Sequence, residues 1–328
     1  MKKKIAVVST GGTIAMKVDK SGFAVPALGA KELIATLPNI SEHVDVSDIA
    51  FKNVPSPQIT HEDLVELRNL VIDLKNKGFD GVVITHGTDT MEETAYFFDL
   101  TTDIGIPIVL TGAQRNPSSI SSDVQLNLMD SILVAADDKT AEMGVVIVFS
   151  SEIVPAREAT KYHRSRVDTF KSLEFGPIGT ISNNKVLWFR KPMIRDTYGI
   201  GDFSKTVDII PSYLGSDSRM IESSIKDGVD GIILQGIGGG HVPKAMLDGI
   251  QKAIDKGIPV VLTSRVPTGR LFTDTYGYEG AERQLRSMGV IFGEDLSPFK
   301  ARIKLLVLLS LGFDYDKIRS EFEKKLYQ

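Results

Sequence analysis

The sequence contains no cysteine among its 328 residues. Disulfide bonds, thiolate metal sites and cysteine nucleophiles are therefore excluded. A strong charge of one sign is also absent, because 38 Lys and Arg against 42 Asp and Glu leave a net charge of -4. This balance offers no basic footprint for nucleic acid and no polybasic patch for a membrane surface. We therefore expect neither nucleic acid nor a membrane among the partners.

Long hydrophobic runs are lacking as well. The basic start at residues 1–4 is like the first region of a signal peptide, but the apolar run after it covers only residues 5–8, too short for a signal core. The apolar run at residues 305–311 is far shorter than the roughly 20 residues that span a bilayer. The five histidines show no metal-binding spacing. The expectation is a cytoplasmic protein that needs no metal.

Short runs rich in Val and Ile alternate with segments of helical period, in a chain long enough for two domains. These runs predict buried strands at residues 5–8, 82–84, 106–110, 145–149, 232–234 and 260–262. Thr60 predicts the start of a helix whose apolar face is Leu64, Leu67, Val71 and Leu74. Apolar strands separated by helices predict an α/β class with a parallel sheet that is covered on both faces.

The sequence also repeats itself. Residues 78–84 (GFDGVVI) resemble residues 228–234 (GVDGIIL), and residues 105–111 (GIPIVLT) resemble residues 257–263 (GIPVVLT). Each pair encloses a helix-sized segment, as two right-handed βαβ units would, although chance likeness of apolar strands is the alternative. Residues 191–212 lack clear periodicity and predict a linker between an N-terminal α/β domain at 1–190 and a smaller C-terminal one at 213–328.

Ligands of open α/β sheets collect at the carboxyl ends of the strands, and two predicted strands end in polar segments. Residues 9–13 (STGGT) follow the first strand, and their paired glycines allow a sharp turn and a close approach of substrate. The P-loop pattern is absent. Taken alone, this segment fits phosphate binding, catalysis or a simple turn equally well.

The second segment, residues 85–90 (THGTDT), follows the strand at 82–84. Thr90 and Glu93 predict a capping box, which places Thr88 and Asp89 at a helix N-terminus where free N–H groups favour an anion or oxyanion. The alternative is that Asp89 only caps the helix. His86, in the same segment, is expected to have a structural hydrogen-bonding role.

Lys161 forms a third candidate, a short way past the strand at residues 145–149. A lone lysine is usually solvated, and this one gains interest only if it points at the other two strand ends. If it does, an aspartate beside it favours its charged form, so we expect proton conduction and electrostatic support rather than action as a free base.

Together these segments resemble a known family. Residues 10–15 (TGGTIA) and 86–94 (HGTDTMEET) are similar to the two signatures of bacterial-type L-asparaginases, in the asparaginase/glutaminase family. The second signature is long and specific, whereas the first alone is weak. Residues 111–115 (TGAQR), 160–161, 169–170, 176–177, 267–269 and 300–302 agree in order, so the resemblance spans nearly the whole chain.

The resemblance implies a fold, an assembly and a reaction. The fold would be a larger N-terminal domain with a flavodoxin-like parallel sheet and a smaller C-terminal α/β domain. Subunits would form a homotetramer, a dimer of dimers, with the active site between subunits; a homodimer is the simpler alternative. The reaction would be hydrolysis of L-asparagine to L-aspartate and ammonia, with no cofactor, and L-glutamine is a second candidate substrate.

Residue roles follow from the resemblance by position. Thr13 would be the nucleophile that forms an acyl-enzyme, and Thr88, Asp89 and Lys161 would form a second triad that moves protons. Ser56 would hold the substrate α-carboxylate and Asp89 the α-ammonium. Gly12 and Thr88 would complete the substrate site.

Some positions depart from the family. His241 stands where some relatives project an asparagine into a neighbouring subunit's site. Residues 14–30 contain no tyrosine, although relatives carry one on this loop, and their only aromatic residue is Phe23. Tyr276 and Tyr278, in a segment that relatives send into the neighbouring site, are candidates to supply the missing hydroxyl. They could equally be packing residues.

Two rival functions remain open at this stage. The amidase subunit of archaeal tRNA-dependent amidotransferases shares the catalytic set but carries an added N-terminal domain, for which we expect no room because the first strand begins at Ile5. The other rival is a non-catalytic two-lobed protein that binds a small ligand. Such a protein would not need Thr13, Thr88, Asp89 and Lys161 at three separate strand ends.

Overall fold

The computed structural model describes residues 2–18, 24–26, 30–35, 37, 40 and 44–324. The chain divides into two compact units, Met1–Thr197 and Tyr198–Gln328. This division lies inside the segment 191–212 that was assigned to a linker. That assignment was too long at its end, because Val207–Pro211 forms a strand of the second unit in which Val207 and Ile210 are buried.

The first unit alternates strands and helices along the described parts of the chain. Its strands are β1 (Lys3–Ser9), β2 (Met16–Val18), β3 (Ala24–Pro26), β4 (Val44–Ala50), β5 (Gly81–Thr85), β6 (Ile108–Thr111), β7 (Val146–Phe149), β8 (Glu152–Pro155), β9 (Ala159–Lys161), β10 (Phe170–Ser172), β11 (Gly179–Ser182) and β12 (Lys185–Trp188). Its helices are α1 (Ala30–Ile34), α2 (His61–Asn76), α3 (Met91–Thr101) and α4 (Val124–Ala136).

The second unit follows the same alternation. Its strands are β13 (Val207–Pro211), β14 (Gly231–Gly236), β15 (Val260–Ser264) and β16 (Ile291–Phe292). Its helices are α5 (Arg219–Lys226), α6 (Leu247–Asp255), α7 (Glu282–Met288), α8 (Pro298–Ser310) and α9 (Tyr315–Phe322). The α/β class is confirmed, and each strand predicted from an apolar run is present.

The main sheet of the first unit has the order β12-β11-β8-β7-β6-β5-β1-β4 over the described ranges. Strands β4, β1, β5, β6 and β7 are parallel, and β8, β11 and β12 extend the sheet antiparallel at one side. When the small β2–β3 pair is set aside, the parallel strands have the flavodoxin-like order 2-1-3-4-5. The order reverses between β1 and β5, and the crevice at their carboxyl ends is therefore where a ligand is expected.

Helix α2 shows how the local sequence fixes one helix that covers this sheet. The Thr60 hydroxyl accepts the Asp63 N–H at 3.3 Å, and the Asp63 carboxylate accepts the Thr60 N–H at 3.1 Å, which completes a capping box. The predicted apolar face is buried, with Leu64, Leu67, Val71 and Leu74 at most 6% exposed. The prediction from Thr60 is confirmed.

The second unit contains a parallel sheet of order β13-β14-β15-β16 in the described residues. Its central strands are the second copies of the repeated sequences: Ile232 pairs with Val260 there, as Val82 pairs with Ile108 in the first unit. The repeat therefore marks a neighbouring pair of parallel strands in each unit. No helix within the described ranges is long and apolar enough to cross a bilayer.

Candidate active site

The loop after β1 is held against the end of β5. Ser9 pairs with Thr85 at the ends of the two strands, and Thr10 donates to the Thr85 carbonyl from its N–H at 3.1 Å and from its hydroxyl at 3.0 Å. The turn then passes through Gly11 and Gly12, with φ of 109° and 81°. Both conformations favour glycine, so the sequence turns the chain sharply at the switch point of the sheet.

Gly12 also needs its hydrogen side chain for space. A Cβ at Gly12 would lie 2.4 Å from the Cα of Gly87, in the loop after β5. The backbones of the two loops therefore touch at the glycines that directly precede Thr13 and Thr88 in the sequence. Thr13 begins a short 3-10 turn, Thr13–Ala15, whose Ile14 and Ala15 are fully buried while Thr13 is half-buried.

Ser56 joins the same contact from a third segment. It begins the 3-10 turn Ser56–Gln58 and is 4% exposed. A Cβ at Gly87 would lie 2.7 Å from the Ser56 Oγ. The Thr90 hydroxyl donates to the Ser56 carbonyl at 3.1 Å. The candidates Gly12 and Ser56 thus both lie against Gly87.

The bond from Thr90 to Ser56 corrects one prediction. Helix α3 does begin after Thr90, but the Thr90 side chain makes no capping hydrogen bond, so the capping box with Glu93 was wrong. Instead, the Thr90 hydroxyl links the start of α3 to the segment that contains Ser56. A capping motif cannot reveal this from sequence, because the competing acceptor lies 34 residues away.

Lys161 reaches the site along a different route from the other candidates. The hairpin of β7 and β8 reverses the chain, and β9, which ends at Lys161, pairs with β10 outside the main sheet. Lys161 therefore ends a strand of a separate two-stranded sheet and does not lie in a loop after one of the parallel strands. Its Nζ donates to Thr88 Oγ1 at 2.8 Å and to Asp89 Oδ1 at 2.6 Å.

The two side chains of this ion pair differ in their exposure to solvent. The Lys161 side chain is 14% exposed and that of Asp89 is 65% exposed. The lysine is therefore not a solvated surface residue, while the aspartate keeps an open carboxylate face. The geometry fixes an ammonium group between a threonine hydroxyl and a carboxylate, and it leaves that carboxylate free to bind a second cationic group.

His86 has the structural role that the sequence predicts. The side chain is fully buried, with Nδ1 2.7 Å from the Gly87 carbonyl and Nε2 3.1 Å from the Thr94 hydroxyl. Burial lowers its pKa to about 4, against the smaller raising effect of the Gly87 carbonyl. A neutral ring that donates to the carbonyl and accepts from Thr94 locks the loop between β5 and α3.

Glu92 is a residue that sequence reasoning missed. It is buried in the first turn of α3, and its Oε1 accepts the Lys161 N–H at 3.4 Å. The other oxygen, Oε2, is buried and has no hydrogen-bond partner among the described residues. The available signal was its position on a helix that is otherwise mostly apolar or aromatic, where a charged side chain is expected to have a partner.

The second unit contains its own polar cluster, made of His241, Tyr276, Tyr278 and Glu282. The rings of the first three lie 5.3 to 5.7 Å apart. The Tyr278 hydroxyl is 2.9 Å from His241 Nδ1, and His241 Nε2 is 3.1 Å from Glu282 Oε2. Glu282, which sequence reasoning also missed, is 0% exposed.

The structure therefore groups the predicted residues into two clusters, one in each unit. The predicted meeting of His241, Tyr276 and Tyr278 with Thr13 of a neighbouring chain stays a prediction. Phe23, with the rest of residues 19–23 and 27–29, lies outside the described residues. Within the described ranges, no group of three or more His, Asp or Glu residues could hold a metal ion.

Comparisons with known proteins agree with the two-unit division. The family model for "Asparaginase, N-terminal" matches residues 4–194, and that for "Glutaminase/Asparaginase C-terminal domain" matches residues 206–322. The chain belongs to the asparaginase family. It is therefore a hydrolase of the asparaginase type, and the recognition of this family from two short motifs is confirmed.

Individual members of the asparaginase family cover the chain almost completely. The L-asparaginase of Bacillus licheniformis is 38% identical over 94% of this chain and 96% of its own length. The solved structure of a probable cytoplasmic L-asparaginase from Campylobacter jejuni superposes with a TM-score of 0.88 at 33% identity, covering 98% and 99% of the two chains. A glutamyl-tRNA(Gln) amidotransferase protein of Methanobrevibacter smithii is 31% identical over 99% of this chain and 76% of its own.

Proposed function

We propose that this protein hydrolyses L-asparagine to L-aspartate and ammonia through an acyl-enzyme on Thr13. The observation that carries the proposal is the Lys161 ammonium, held at 2.8 Å from Thr88 Oγ1 and 2.6 Å from Asp89 Oδ1. It contacts the loop after β5, whose Gly87 touches the Gly12 that precedes Thr13. A hydroxyl next to a fixed proton-carrying group is the arrangement that nucleophilic catalysis needs.

Two covalent steps follow from this arrangement. In the first, the Thr13 hydroxyl oxygen bonds to the side-chain amide carbon of the substrate, its proton leaves, and the amide nitrogen takes up a proton and departs as ammonia. In the second, the oxygen of water bonds to the ester carbon, the bond from that carbon to Thr13 Oγ1 breaks and releases aspartate, and a proton of the water goes to Thr13. Thr88 and Lys161 would move protons in these steps, while Asp89 holds the ammonium of Lys161 in place.

Substrate binding is proposed to use the groups around these hydroxyls. The exposed face of the Asp89 carboxylate would accept the α-ammonium of the substrate, and Ser56 would hold its α-carboxylate. Gly12 and Thr88 would line the position of the side-chain amide, since Gly12 lets the substrate approach the backbone without a Cβ between them. This arrangement would require an amino acid with both α-groups free.

Ammonia release tests the proposed function. L-Asparagine, L-glutamine and D-asparagine are given side by side to the wild-type protein and to Thr13→Ala, with a sample that contains no protein as the background. We expect fast release from L-asparagine, and none above background from any substrate with Thr13→Ala. Saturable binding of L-asparagine without ammonia would favour a non-catalytic ligand-binding protein. Release only from an aminoacyl-tRNA substrate would favour a component of an amidotransferase.

The assembly is proposed to be a homotetramer built as a dimer of dimers, in which residues 273–279 and His241 reach Thr13 of a neighbouring chain. A closed symmetric assembly is required, because each chain would both give and receive these residues. Light scattering combined with an activity assay on the same fractions tests this. A fully active monomer would contradict the shared site.

The site of action is proposed to be the cytoplasm. The support is the Campylobacter jejuni relative, which is named as a cytoplasmic enzyme. Fractionation of the source cells, with asparaginase activity followed in each fraction, provides the test. Activity released with the periplasmic or secreted fraction would contradict it.

A further inference from the structure

Helix α4 carries a row of polar side chains on its buried side. Asn127 and Ser131 are 0% exposed, Asp130 is 4% exposed, and Asp123, directly before the helix, is 6% exposed. A polar group without a hydrogen bond is costly to bury, so each of these side chains is expected to have a partner. Asn127 stands out because its partners lie on two other segments, the loop after β6 and the turn between β7 and β8.

The carboxamide of Asn127 is held in one orientation. Its Nδ2 donates to the Gly112 carbonyl at 2.9 Å and to Asp123 Oδ2 at 3.1 Å, and its Oδ1 accepts the Ser150 N–H at 2.8 Å. A carbonyl oxygen can only accept and a backbone N–H can only donate, so these partners fix which end of the side chain carries the nitrogen. Both hydrogens and the oxygen of the carboxamide are therefore engaged.

The same side chains fix the loop after β6 to the start of α4. Asn127 bonds the Gly112 carbonyl, while Asp123 accepts the N–H of Gln114 at 3.0 Å and that of Arg115 at 2.8 Å. Asn127 and Asp123 also bond each other. A buried network in which each member has its partners holds its backbone rigidly.

Gly112 brings this loop against Thr88. A Cβ on Gly112 would lie 2.4 Å from the His86 carbonyl oxygen and 3.4 Å from Thr88 Cγ2. Gly112 therefore faces the methyl group of Thr88, while the hydroxyl of the same side chain accepts from Lys161 Nζ at 2.8 Å. Methyl and hydroxyl occupy two of the three staggered positions on the threonine Cβ, so the two contacts together define one χ1 rotamer.

The other end of Asn127 is anchored in a turn that needs support. Ser150 and Ser151, between β7 and β8, have φ of 52° and 59°. The turn between β11 and β12 has nearly the same φ values, 50° and 57°, but uses Asn183 and Asn184. Asparagine adopts this left-handed conformation more readily than most other residues. The bond from the Ser150 N–H therefore stabilises a costly turn and fixes the carboxamide oxygen at the same time.

We propose that Asn127 is a positioning residue for Thr88: it holds Gly112 in place, and Gly112 keeps the Thr88 hydroxyl directed at Lys161. This role rests on the proposed function, in which Thr88 and Lys161 move protons. Without the carboxamide, the Gly112 carbonyl loses a donor and the loop can move away from Thr88, whose side chain is then free to leave its rotamer. Proton transfer needs both groups at hydrogen-bond distance, so a small displacement lowers the rate.

The first test compares two substitutions on one helix. Asn127→Leu keeps the branching of the side chain and removes its hydrogen bonds. Ser131→Ala is the matched control, because this fully buried hydroxyl bonds the Asn127 carbonyl at 2.6 Å. We expect Asn127→Leu to lower kcat for L-asparagine roughly 10- to 100-fold with KM changed by about threefold at most, and Ser131→Ala to lose stability but keep kcat within about twofold. Denaturant unfolding measures the stability of both variants.

Asn127→Asp provides a second route should the leucine variant not fold. It keeps an oxygen for the Ser150 N–H and has no hydrogen for the Gly112 carbonyl when ionised. The same loss of kcat is therefore expected at neutral pH. A folded Asn127 variant with wild-type kcat, or an equal loss in Ser131→Ala, would overturn the positioning role.

A double-mutant cycle separates positioning from general damage to the fold. Thr88→Ser keeps the hydroxyl and removes the methyl group that faces Gly112. Once this methyl is absent, Gly112 no longer selects the rotamer, so Asn127→Leu should lower kcat by about threefold or less in the Thr88→Ser background. The same 10- to 100-fold loss in both backgrounds would show that Asn127 does not act through Thr88.

A second readout does not depend on activity. Crystal structures of the wild type and of Asn127→Leu give the Thr88 χ1 rotamer and the distance from its hydroxyl to Lys161 Nζ. We expect one rotamer in the wild type, and a hydroxyl turned away or divided between two rotamers in the variant. An unchanged rotamer that still bonds Lys161 would overturn the role of Asn127. A wild-type protein that releases no ammonia would instead contradict the proposed function, and the rotamer would still decide whether Asn127 positions Thr88.

Discussion

The two polar clusters of this molecule are built in different ways. In the first unit, Thr13 and Thr88 follow glycines whose backbones touch, at the ends of paired strands, so main-chain contacts fix the backbone that carries both threonines. In the second unit, Tyr278 and His241 are held by side-chain hydrogen bonds that end on Glu282, and the tyrosine ring stays half-exposed. Rigid backbone contacts suit the making of a covalent bond. The second cluster instead depends on side-chain hydrogen bonds, each of which a single substitution can remove.

The largest effect is expected from the nucleophile of the first cluster. Thr13→Ala should fold like the wild type and lose turnover by several orders of magnitude, roughly 10³-fold or more, as the loss of a covalent nucleophile does. Thr13→Ser keeps a hydroxyl and should recover part of the loss. Steady-state kinetics with L-asparagine measures both. A Thr13→Ala protein that keeps a tenth of wild-type turnover would remove Thr13 from this role.

The ion pair beside it should come next. Lys161→Met and Asp89→Ala should each lower kcat by roughly 10²- to 10⁴-fold, and the double variant should be little worse, because residues that act as one unit are not additive. Lys171→Met is the matched control. Lys171 lies on the partner strand of the same small sheet and bonds Glu152 at 2.8 Å, so its loss removes a lysine ion pair without touching Thr88.

Clean additivity of the Lys161 and Asp89 losses in free energy would show that the two residues act separately. Equal losses in Lys171→Met would show that any charge change on this sheet is damaging. Either result would mean that Thr88, Asp89 and Lys161 do not form a functional triad.

Glu92 should have a smaller effect, because it acts through Lys161. Glu92→Ala removes the acceptor of the Lys161 N–H and should lower kcat about tenfold with little change in KM, as expected for misplacement of a proton-transfer group. Glu92→Gln keeps an acceptor oxygen and should recover most of the activity. Glu62→Ala, at the same place in the first turn of α2, is the control and should be unchanged. A loss that appears only in KM would assign Glu92 to substrate binding.

The smallest effect concerns stability alone. The pKa of His86 is lowered by burial from its ordinary value of 6.5 to about 4. Between these pH values the unfolded chain binds more protons, so the free energy of unfolding falls as the pH decreases from 6.5 towards 4. His86→Asn should flatten this part of the profile, measured by denaturant unfolding at several pH values. A steeper decrease in His86→Asn than in the wild type would contradict the assignment.

Asp130 provides a counterpart of opposite sign for the same measurement. Burial raises its pKa from 3.8 to about 6, against the lowering effect of the Ser151 hydroxyl. The folded protein binds more protons between these values, so this carboxyl lowers stability as the pH rises from about 4 through 6. Asp130→Asn should therefore remove this loss of stability towards pH 6, whereas His86→Asn removes a loss of stability towards pH 4. Two variants that shift the profile in the same direction would contradict both accounts.

Local sequence was enough for the strands, for α2 and for the placement of Thr13 and Thr88 after strand ends. The Val- and Ile-rich runs form buried strands, and Thr60 with Asp63 makes its cap within three residues. The positions of Thr13 and Thr88 follow from the rule that ligands collect at the carboxyl ends of parallel strands. Each of these signals lies within one short segment, and the structure agrees with each.

What the sequence did not show depends on partners far along the chain. Thr90 was assigned to a capping box, but its hydroxyl finds the Ser56 carbonyl. Glu92 and Glu282 were missed because their partners, Lys161 and His241, lie 69 and 41 residues away. Buried polar groups choose among all acceptors that the fold brings near, and only the folded structure shows that choice.

The proposal that the two clusters form one working site across two chains is tested most directly by mixed assemblies. Chains carrying Thr13→Ala are co-expressed in equal amounts with chains carrying Tyr278→Phe, and turnover is measured on the purified mixture. In a mixed pair, one site has both defects and the other has none. Random pairing makes half of the pairs mixed, so about one quarter of all sites should be intact and about one quarter of wild-type turnover should return. Turnover equal to the mean of the two parent variants would contradict the account.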